Sequence, residues 1–225
     1  MEVSQAIRSR RSIRGFKPDP VPRKVFEGLL ETCRWAPSAR NTQEWDLLIL
    51  GGKVIAEIKA RIVEKYKAKV EANEDVPISA LDDMPELYRQ RAIEGRDIID
   101  SHQFPPGTEK LDEKRAAYFV KGWRFHDAPN AIILCTERVL YPTAIFDVGI
   151  MAQTICLAAL DYGLGTTIMA RPVYWPDIYR EVLGIPESKL IVVSIGIGYP
   201  DPEVVVNSFP RHRVPWDVFT QWHGV

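Results

Sequence analysis

The 225-residue sequence lacks most of the features that mark a metal site or a nucleophilic active site. Its three cysteines, Cys33, Cys135 and Cys156, lie in apolar segments without CxxC spacing, which indicates reduced core thiols instead of a disulfide framework. The four histidines show no ligand spacing, so no metal is expected. There is no GxSxG elbow, no Walker loop and no GxGxxG after a strand. Hydrolases, NTPases and Rossmann dehydrogenases therefore have no support in the sequence.

A strong net charge and long apolar runs are missing too. The formal net charge of −1 disfavours a surface built to bind nucleic acid. Unbroken apolar runs are far shorter than the roughly 20 residues of a membrane span, and the first residues form no apolar signal segment. We therefore expect a cytoplasmic protein with neither nucleic acid nor membrane as partner. The 46% hydrophobic content is enough for one core in a single domain over residues 1–225.

Hydrophobic periodicity predicts long helices and short buried strands. Helices are predicted over 3–8, 23–35, 54–72, 85–101, 111–125, 143–162 and 174–183. Strands are predicted over 45–50, 130–135, from 167 onwards, and over 190–197. Residues 73–110 mix acidic residues with prolines, and we interpret them, extended to about 73–125, as an insertion or lid. The pattern is typical of one α+β domain.

Two basic clusters stand at opposite ends of the chain. The first is Arg10-Arg11-Ser12-Ile13-Arg14 and the second is Arg211-His212-Arg213. Arginine grips phosphate oxygens in pairs and serine adds a short donor, but either cluster alone is equally typical of a solvated basic face. They would suit one phosphate only if the fold brings the ends together. With six Trp, eight Tyr and eight Phe, the composition favours an aromatic, phosphate-bearing cofactor.

Five motifs, in order and at similar spacing, resemble the FMN-dependent nitroreductase family. They are Arg10-Arg11-Ser12-Ile13-Arg14-x-Phe16, Pro37-Ser38-x-x-Asn41-x-Gln43-x-Trp45, Asp147-x-Gly149 with Gln153, Gly163-Leu164-Gly165, and Arg211-x-Arg213-x-Pro215. The resemblance spans nearly the whole chain. It implies a nitroreductase-like α/β/α sandwich with a mixed, mostly antiparallel sheet, in an intertwined homodimer with FMN at the subunit interface. The middle segment is similar to longer members that act on nitroaromatic acids.

The resemblance also implies roles at the phosphate and ring of FMN. Arg10, Ser12, Arg211 and Arg213 would hold the phosphate, and Arg11 would lie against the ribityl chain or the ring. Arg14 would sit near N1 and O2, where a cation stabilises the negative charge that the ring gains on reduction.

Further contacts are implied around the edges of the ring. The partner subunit would supply Pro37, Ser38, Ala39, Asn41 and Gln43. The strand end Ile168, Met169, Ala170 and Arg171 would pass the ring, with a backbone N–H near Ala170 bonded to N5 and Arg171 near the cofactor or a substrate anion. Tyr88 and Phe125 are the candidates for substrate contact, although ordinary packing explains both equally well.

Several positions depart from the family pattern or have simpler interpretations. Glu44 follows the loop glutamine where the family often has proline. Asp147 is expected to be a stabilising charge at the positive end of a helix. Trp35 and Trp45 are expected in the core, and His126 is expected to be a polar surface residue.

The resemblance therefore implies an enzyme that moves hydride from NAD(P)H through FMN to a nitroaromatic, quinone or activated-alkene acceptor by a ping-pong mechanism. Two alternatives stay open. One is a module that stores, delivers or senses FMN without turnover. The other is a family branch with specialised chemistry, such as reductive dehalogenation or cleavage of the flavin.

Overall fold

The computed structural model describes residues 1–225 and is built on one four-stranded sheet. Its strands are β1 (Trp45–Leu50), β2 (Asn130–Glu137), β3 (Gly165–Met169) and β4 (Lys189–Gly198). The spatial order is β1-β2-β4-β3, and every ladder is antiparallel. Parallel pairing is limited to a bridge between Ser12 and Thr166, outside the ladders. The predicted α+β class with a mostly antiparallel sheet is confirmed.

The fold has seven α-helices, five of which pack on the sheet. They are α1 (Val3–Ser9), α2 (Arg23–Cys33), α3 (Gly52–Lys67), α4 (Glu86–Gln103), α5 (Leu111–Trp123), α6 (Ala144–Ala158) and α7 (Pro176–Leu183). Helices α2 and α6 cover one face of the sheet, and α3, α5 and α7 cover the other. This arrangement is the three-layer sandwich that the resemblance implies.

The two cores follow from the period of two along β2. Ile132 and Leu134 point into the core under α2 and α6, here called the first core, whereas Ile133 and Cys135 point into the second core, under α3 and α7. All three cysteines are free and buried, and burial raises the pKa of Cys33 and Cys135 to about 12. Their prediction as core thiols is confirmed.

Helix α6 and the turn after it form the most apolar stretch of the chain. By length and composition alone, Ala144–Tyr162 could cross a membrane, with a mean hydropathy of 1.6. Half of this stretch is buried inside the fold, where Val148, Met151 and Ile155 pack on the sheet. Its apolar character is therefore that of a central core helix.

Three helix ends differ from the prediction. Helix α3 ends at Lys67, since Lys69 takes a left-handed φ of 54°. Helix α5 ends at Trp123, because Phe125, His126 and Asp127 are all left-handed. Helix α2 ends at Cys33, so Trp35 turns outward and is 82% exposed. The prediction of Trp35 as a core residue is wrong, whereas Trp45 packs partly buried against the first core.

The segment at 73–125 is bonded to the core near its start, whereas its middle part, helix α4, buries no residue. Asp75 accepts hydrogen bonds from the Ile191 N–H at 2.8 Å and from Arg180 at 2.8 Å, next to β4 and α7. Helix α4, in contrast, has no buried residue over its 18 positions. It is held away from the sheet and forms one wall of the cleft described below.

Candidate active site

An extended arm at residues 10–17 fixes the first basic cluster beside the sheet. The Ile13 N–H donates to the Thr166 carbonyl at 2.9 Å, and the Lys17 N–H donates to the Tyr199 carbonyl at 2.9 Å. These bonds attach the arm to β3 and to the residue that follows β4. Arg10, Ser12 and Arg14 are thereby held at the end of the sheet where β4 leaves it.

The segment after β4 brings the second cluster to the same place. The Asn207 side chain accepts from the Arg14 N–H and donates to the Gly15 carbonyl, each at 2.8 Å. Arg211 donates to the carbonyl of Arg8 at 2.6 Å and to that of Arg10. The fold thus joins the two clusters, which was the condition for a shared phosphate.

The joined clusters form one side of a cleft of about 1170 Å³. Five arginines line it, namely Arg10, Arg14, Arg91, Arg211 and Arg213, against two carboxylates, Glu94 and Asp97. None of the five makes an ion pair. Burial and the charges of Arg213 and Arg10 lower the pKa of Arg211. A cleft with this unbalanced positive charge suits a phosphate.

The cleft continues into an inner cavity of about 610 Å³, and Arg14 lines both. Its walls are residues 167–171 at the end of β3 and the side chains of Tyr118, Phe119 and His126 from α5 and the turn after it. Burial lowers the pKa of Arg14. The site therefore offers a phosphate subsite at one end and an aromatic-walled space at the other, which together fit a ligand with a phosphate and a planar ring.

The predicted ring-edge residues at 37–43 lie outside this cleft. They form the exposed loop between α2 and β1, in which Arg40, Asn41 and Gln43 have left-handed φ values. The Ala39 N–H donates to the Asp147 carboxylate at 2.9 Å, and the Gln43 N–H donates to the Ser38 hydroxyl at 2.9 Å. Asp147 is buried at the start of α6, so it anchors this loop as well as placing a charge at the helix N-terminus.

Three other predicted residues do not line the cleft. Arg11 donates to the Phe209 carbonyl and lies over the Phe209 ring, with its guanidinium carbon 5.4 Å from the centroid. Phe125 is 0% exposed in the second core, so it packs instead of facing a substrate. Tyr88 is 55% exposed on α4 and is not among the lining residues.

Sequence reasoning missed several residues of the site. His126, expected on the surface, is 9% exposed and borders the inner cavity, so that expectation is wrong. Burial and the charges of Arg14, Arg171 and Lys121 lower its pKa to about 3. Tyr118 and Arg91 were missed because helical periodicity does not show which face of an exposed helix meets another element.

The fold is a three-layer α+β sandwich, and its cleft offers a subsite suited to a phosphate beside an aromatic-walled space. The sequence profile of the nitroreductase family matches residues 7–199, and the chain belongs to this family.

Individual relatives cover nearly the whole chain. It is 27% identical to the chloronitrobenzene nitroreductase of Comamonas testosteroni over 218 residues. The aligned region covers 97% of this chain and 95% of that protein. It is 28% identical over 225 residues to a 4-nitrobenzoate reductase of Pseudomonas putida, with 99% and 96% covered. The crystal structure of the FMN- and NADPH-dependent nitroreductase NfnB from Sphigopyxis sp. strain HMH superposes with a TM-score of 0.89 at 23% identity, covering both chains fully.

Proposed function

We propose that this chain is an FMN-dependent oxidoreductase that uses NAD(P)H to reduce nitroaromatic compounds. The observation that carries the proposal is the cleft in which unpaired arginines from both ends of the chain adjoin an aromatic-walled cavity. The relatives support it, since they include a nitroreductase and a 4-nitrobenzoate reductase of nearly the same length. When bound, FMN supplies hydride transfer from the nicotinamide donor to the acceptor.

The residues present fit FMN at both ends. Arg10, Ser12, Arg211 and Arg213 hold the phosphate, since they line the wider part of the cleft and lack carboxylate partners. Arg14 lies at the junction of the two cavities and provides the positive charge beside the ring. Ile168, Met169, Ala170 and Arg171 form the neighbouring wall. Arg11 contributes indirectly, by fixing Phe209 and with it the C-terminal cluster.

A homodimer follows as part of the same proposal. The loop at 37–43 does not line the cleft of its own subunit, and we assign it to the cleft of a partner subunit. Large apolar side chains stand exposed on α6 and beside it, including Phe146 at 75% and Trp35. Such a patch is typical of a subunit interface. Sedimentation equilibrium should give twice the mass of 25.6 kDa, and a monomer that binds FMN fully would contradict this part.

Three parts of the hypothesis stay predictions. They are quinones and activated alkenes as further acceptors, a ping-pong order of binding, and a cytoplasmic location. A ping-pong order is expected because donor and acceptor would use the same aromatic-walled cavity in turn.

The purified protein should be yellow, and anaerobic NAD(P)H should bleach the flavin at a catalytic rate. Addition of 4-nitrobenzoate should then restore the colour. The double variant Arg10→Ala/Arg213→Ala serves as the control and should lose FMN on gel filtration. Colourless protein that also fails to bind added FMN would overturn the proposal, and bound flavin that NAD(P)H does not bleach would support a storage module instead.

A further inference from the structure

The side chain of Arg171 packs against one face of helix α5, formed by Phe119, Gly122 and Trp123, which we call its seat. Its guanidinium carbon lies 4.4 Å from the centroid of Phe119 and 6.0 Å from that of Trp123. Phe119, Gly122 and Trp123 are three and four positions apart, so they share one face of α5. Arg171 also lies against α5 at Gly122, where an added Cβ would be in ordinary van der Waals contact with its Nη1, at 3.5 Å. The seat orients the guanidinium at the wall of the inner cavity.

The seat leaves the charge of Arg171 unbalanced. Aromatic faces attract a cation without neutralising it, and Arg171 makes no ion pair. The one carboxylate in the wall of the inner cavity, Asp100, is already held by Arg115, whose Nε lies 3.1 Å from both oxygens. Arg96, in the same wall, pairs with Asp97 at 3.1 Å. Arg171 is therefore free to bind an anion.

A second observation points to a ligand at the same wall. His126 is buried and borders the cavity, and its Nδ1 has no hydrogen-bond partner in the fold. Burial and, after it, the charges of Arg14, Arg171 and Lys121 lower the pKa of this imidazole, which is therefore neutral. The unpartnered ring nitrogen of His126 can form a hydrogen bond with a polar group of a ligand in the cavity. The nearby cations make the electrostatic potential in the cavity positive, which favours an anionic ligand.

We propose that Arg171 is a specificity-determining residue that binds the carboxylate, or another anionic substituent, of an aromatic acceptor lying in the inner cavity. Phe119 and Tyr118 provide aromatic surface for the ring of that acceptor. The planar guanidinium of Arg171 donates paired hydrogen bonds to its anionic group. The inference deepens the proposed function and rests on it for the identity of the reaction.

The same fork would also fit a phosphate of NAD(P)H, so the test separates the two anions. Binding is measured first without turnover, using benzoate and its uncharged analogue benzamide as ligands of the FMN-loaded protein. The flavin absorbance reports their dissociation constants. Kinetic constants are then measured for 4-nitrobenzoate, 4-nitrobenzamide and NAD(P)H separately. The variants are Arg171→Gln, Arg171→Lys and, as a matched control, Lys114→Gln, at an exposed lysine of α5 that lines neither cavity.

We expect the unchanged protein to bind benzoate about 10- to 100-fold more tightly than benzamide. Arg171→Gln should abolish that preference, and it should lower kcat/KM for 4-nitrobenzoate about 10- to 100-fold more than it lowers kcat/KM for 4-nitrobenzamide or for NAD(P)H. Arg171→Lys should restore part of the preference, because it keeps the charge but loses the planar fork. Lys114→Gln should keep the preference.

Three outcomes would overturn the inference. They are equal binding of benzoate and benzamide to the unchanged protein, equal losses for both acceptors in Arg171→Gln, and a loss confined to NAD(P)H. A preference for benzoate that depends on Arg171, in a protein that reduces neither nitro compound, would support the anion site and contradict the proposed function. The two failures are therefore distinguishable.

Discussion

The guanidinium of Arg211 donates to the carbonyl oxygen of Arg8 at 2.6 Å, joining residues that are 203 positions apart. A second bond from the same guanidinium reaches the Arg10 carbonyl. Arg211 therefore has two tasks. It closes the C-terminal segment onto the N-terminal arm, and it adds positive charge to the cleft that this closure creates.

Arg211 and Arg213 should for this reason respond differently to substitution. Arg213 donates only to the carbonyl of the adjacent His212, so Arg213→Ala should weaken FMN binding about 10- to 100-fold and leave the stability of the FMN-free protein unchanged. Arg211→Ala should weaken FMN binding similarly and also lower the free energy of unfolding by about 1–2 kcal/mol. Fluorescence titration with FMN and urea denaturation of the FMN-free protein measure the two effects. Equal loss of stability in both variants would contradict this division.

Asp147 should act mainly by anchoring the loop at 37–43. Its carboxylate is buried and accepts from the Ala39 N–H, so Asp147→Ala leaves that donor without its partner. The expected loss is about 1–3 kcal/mol in the free energy of unfolding, whereas Asp147→Asn keeps an acceptor oxygen and should lose less. Urea denaturation measures the loss. If the proposed dimer forms through this loop, sedimentation should also show weaker association of the Asp147→Ala variant. Equal losses of unfolding free energy in Asp147→Ala and Asp147→Asn would argue against the anchoring bond.

Much of the architecture was predictable because burial leaves a periodic signal. The apolar run over 130–135 lies within β2, and the helical spacing over 23–35 places α2 except for the last two residues of the prediction. The sequence predicted a shared phosphate only if the fold brings the two basic clusters together. That proximity depends on the contacts of Asn207 with Arg14 and Gly15, which lie 193 and 192 positions away. No local pattern carries such a contact.

The errors have local causes too. Trp35 follows an apolar helix yet lies past its last turn, so periodicity continued the buried face beyond the point where the helix ends. The turn at Phe125, His126 and Asp127 uses three consecutive left-handed residues with φ values of 58°, 50° and 61°. None of them is glycine, so the sequence gives no warning of a conformation that buries both Phe125 and His126.

His126 should make stability depend on pH. In the unfolded chain its pKa is about 6.5, and in the fold burial and the charges of Arg14, Arg171 and Lys121 lower it to about 3. Between these values the unfolded state binds a proton that the fold does not. The contribution of neutral His126 is therefore complete above pH 6.5 and is lost as the pH falls toward 3, by at most about 1.4 kcal/mol per pH unit.

The test is the difference in unfolding free energy between the unchanged protein and His126→Gln, measured by urea denaturation at pH 7.5, 6 and 5. This difference should shift in favour of the variant as the pH falls. His223→Gln, at an exposed histidine, is the control and should follow the unchanged protein. A difference that stays constant between pH 7.5 and 5 would mean that His126 binds protons equally in the folded and unfolded states.

Gly15, next to Arg14 in the N-terminal arm, leaves no room for a side chain beside Val204. A Cβ built on Gly15 would lie 2.4–2.7 Å from three side-chain carbons of Val204, distances that no packed side chain tolerates. The carbonyl of Gly15 also accepts from the Asp201 N–H and from Asn207, and Asn207 in turn fixes the N–H of Arg14. Moving Val204 should therefore disturb the bonds that hold Arg14 at the junction of the two cavities.

Gly15→Ala is expected to lower the free energy of unfolding by about 1–3 kcal/mol through overpacking, and to weaken FMN binding about tenfold. Val204→Gly removes every atom that the new methyl group would meet, so the double variant Gly15→Ala/Val204→Gly should bind FMN more tightly than Gly15→Ala alone. Val204→Gly by itself serves as the control for the loss of its own side chain. Because two residues in contact couple, the effects of the two substitutions should not add. Strictly additive effects on both stability and FMN affinity would show that this contact does not position Arg14.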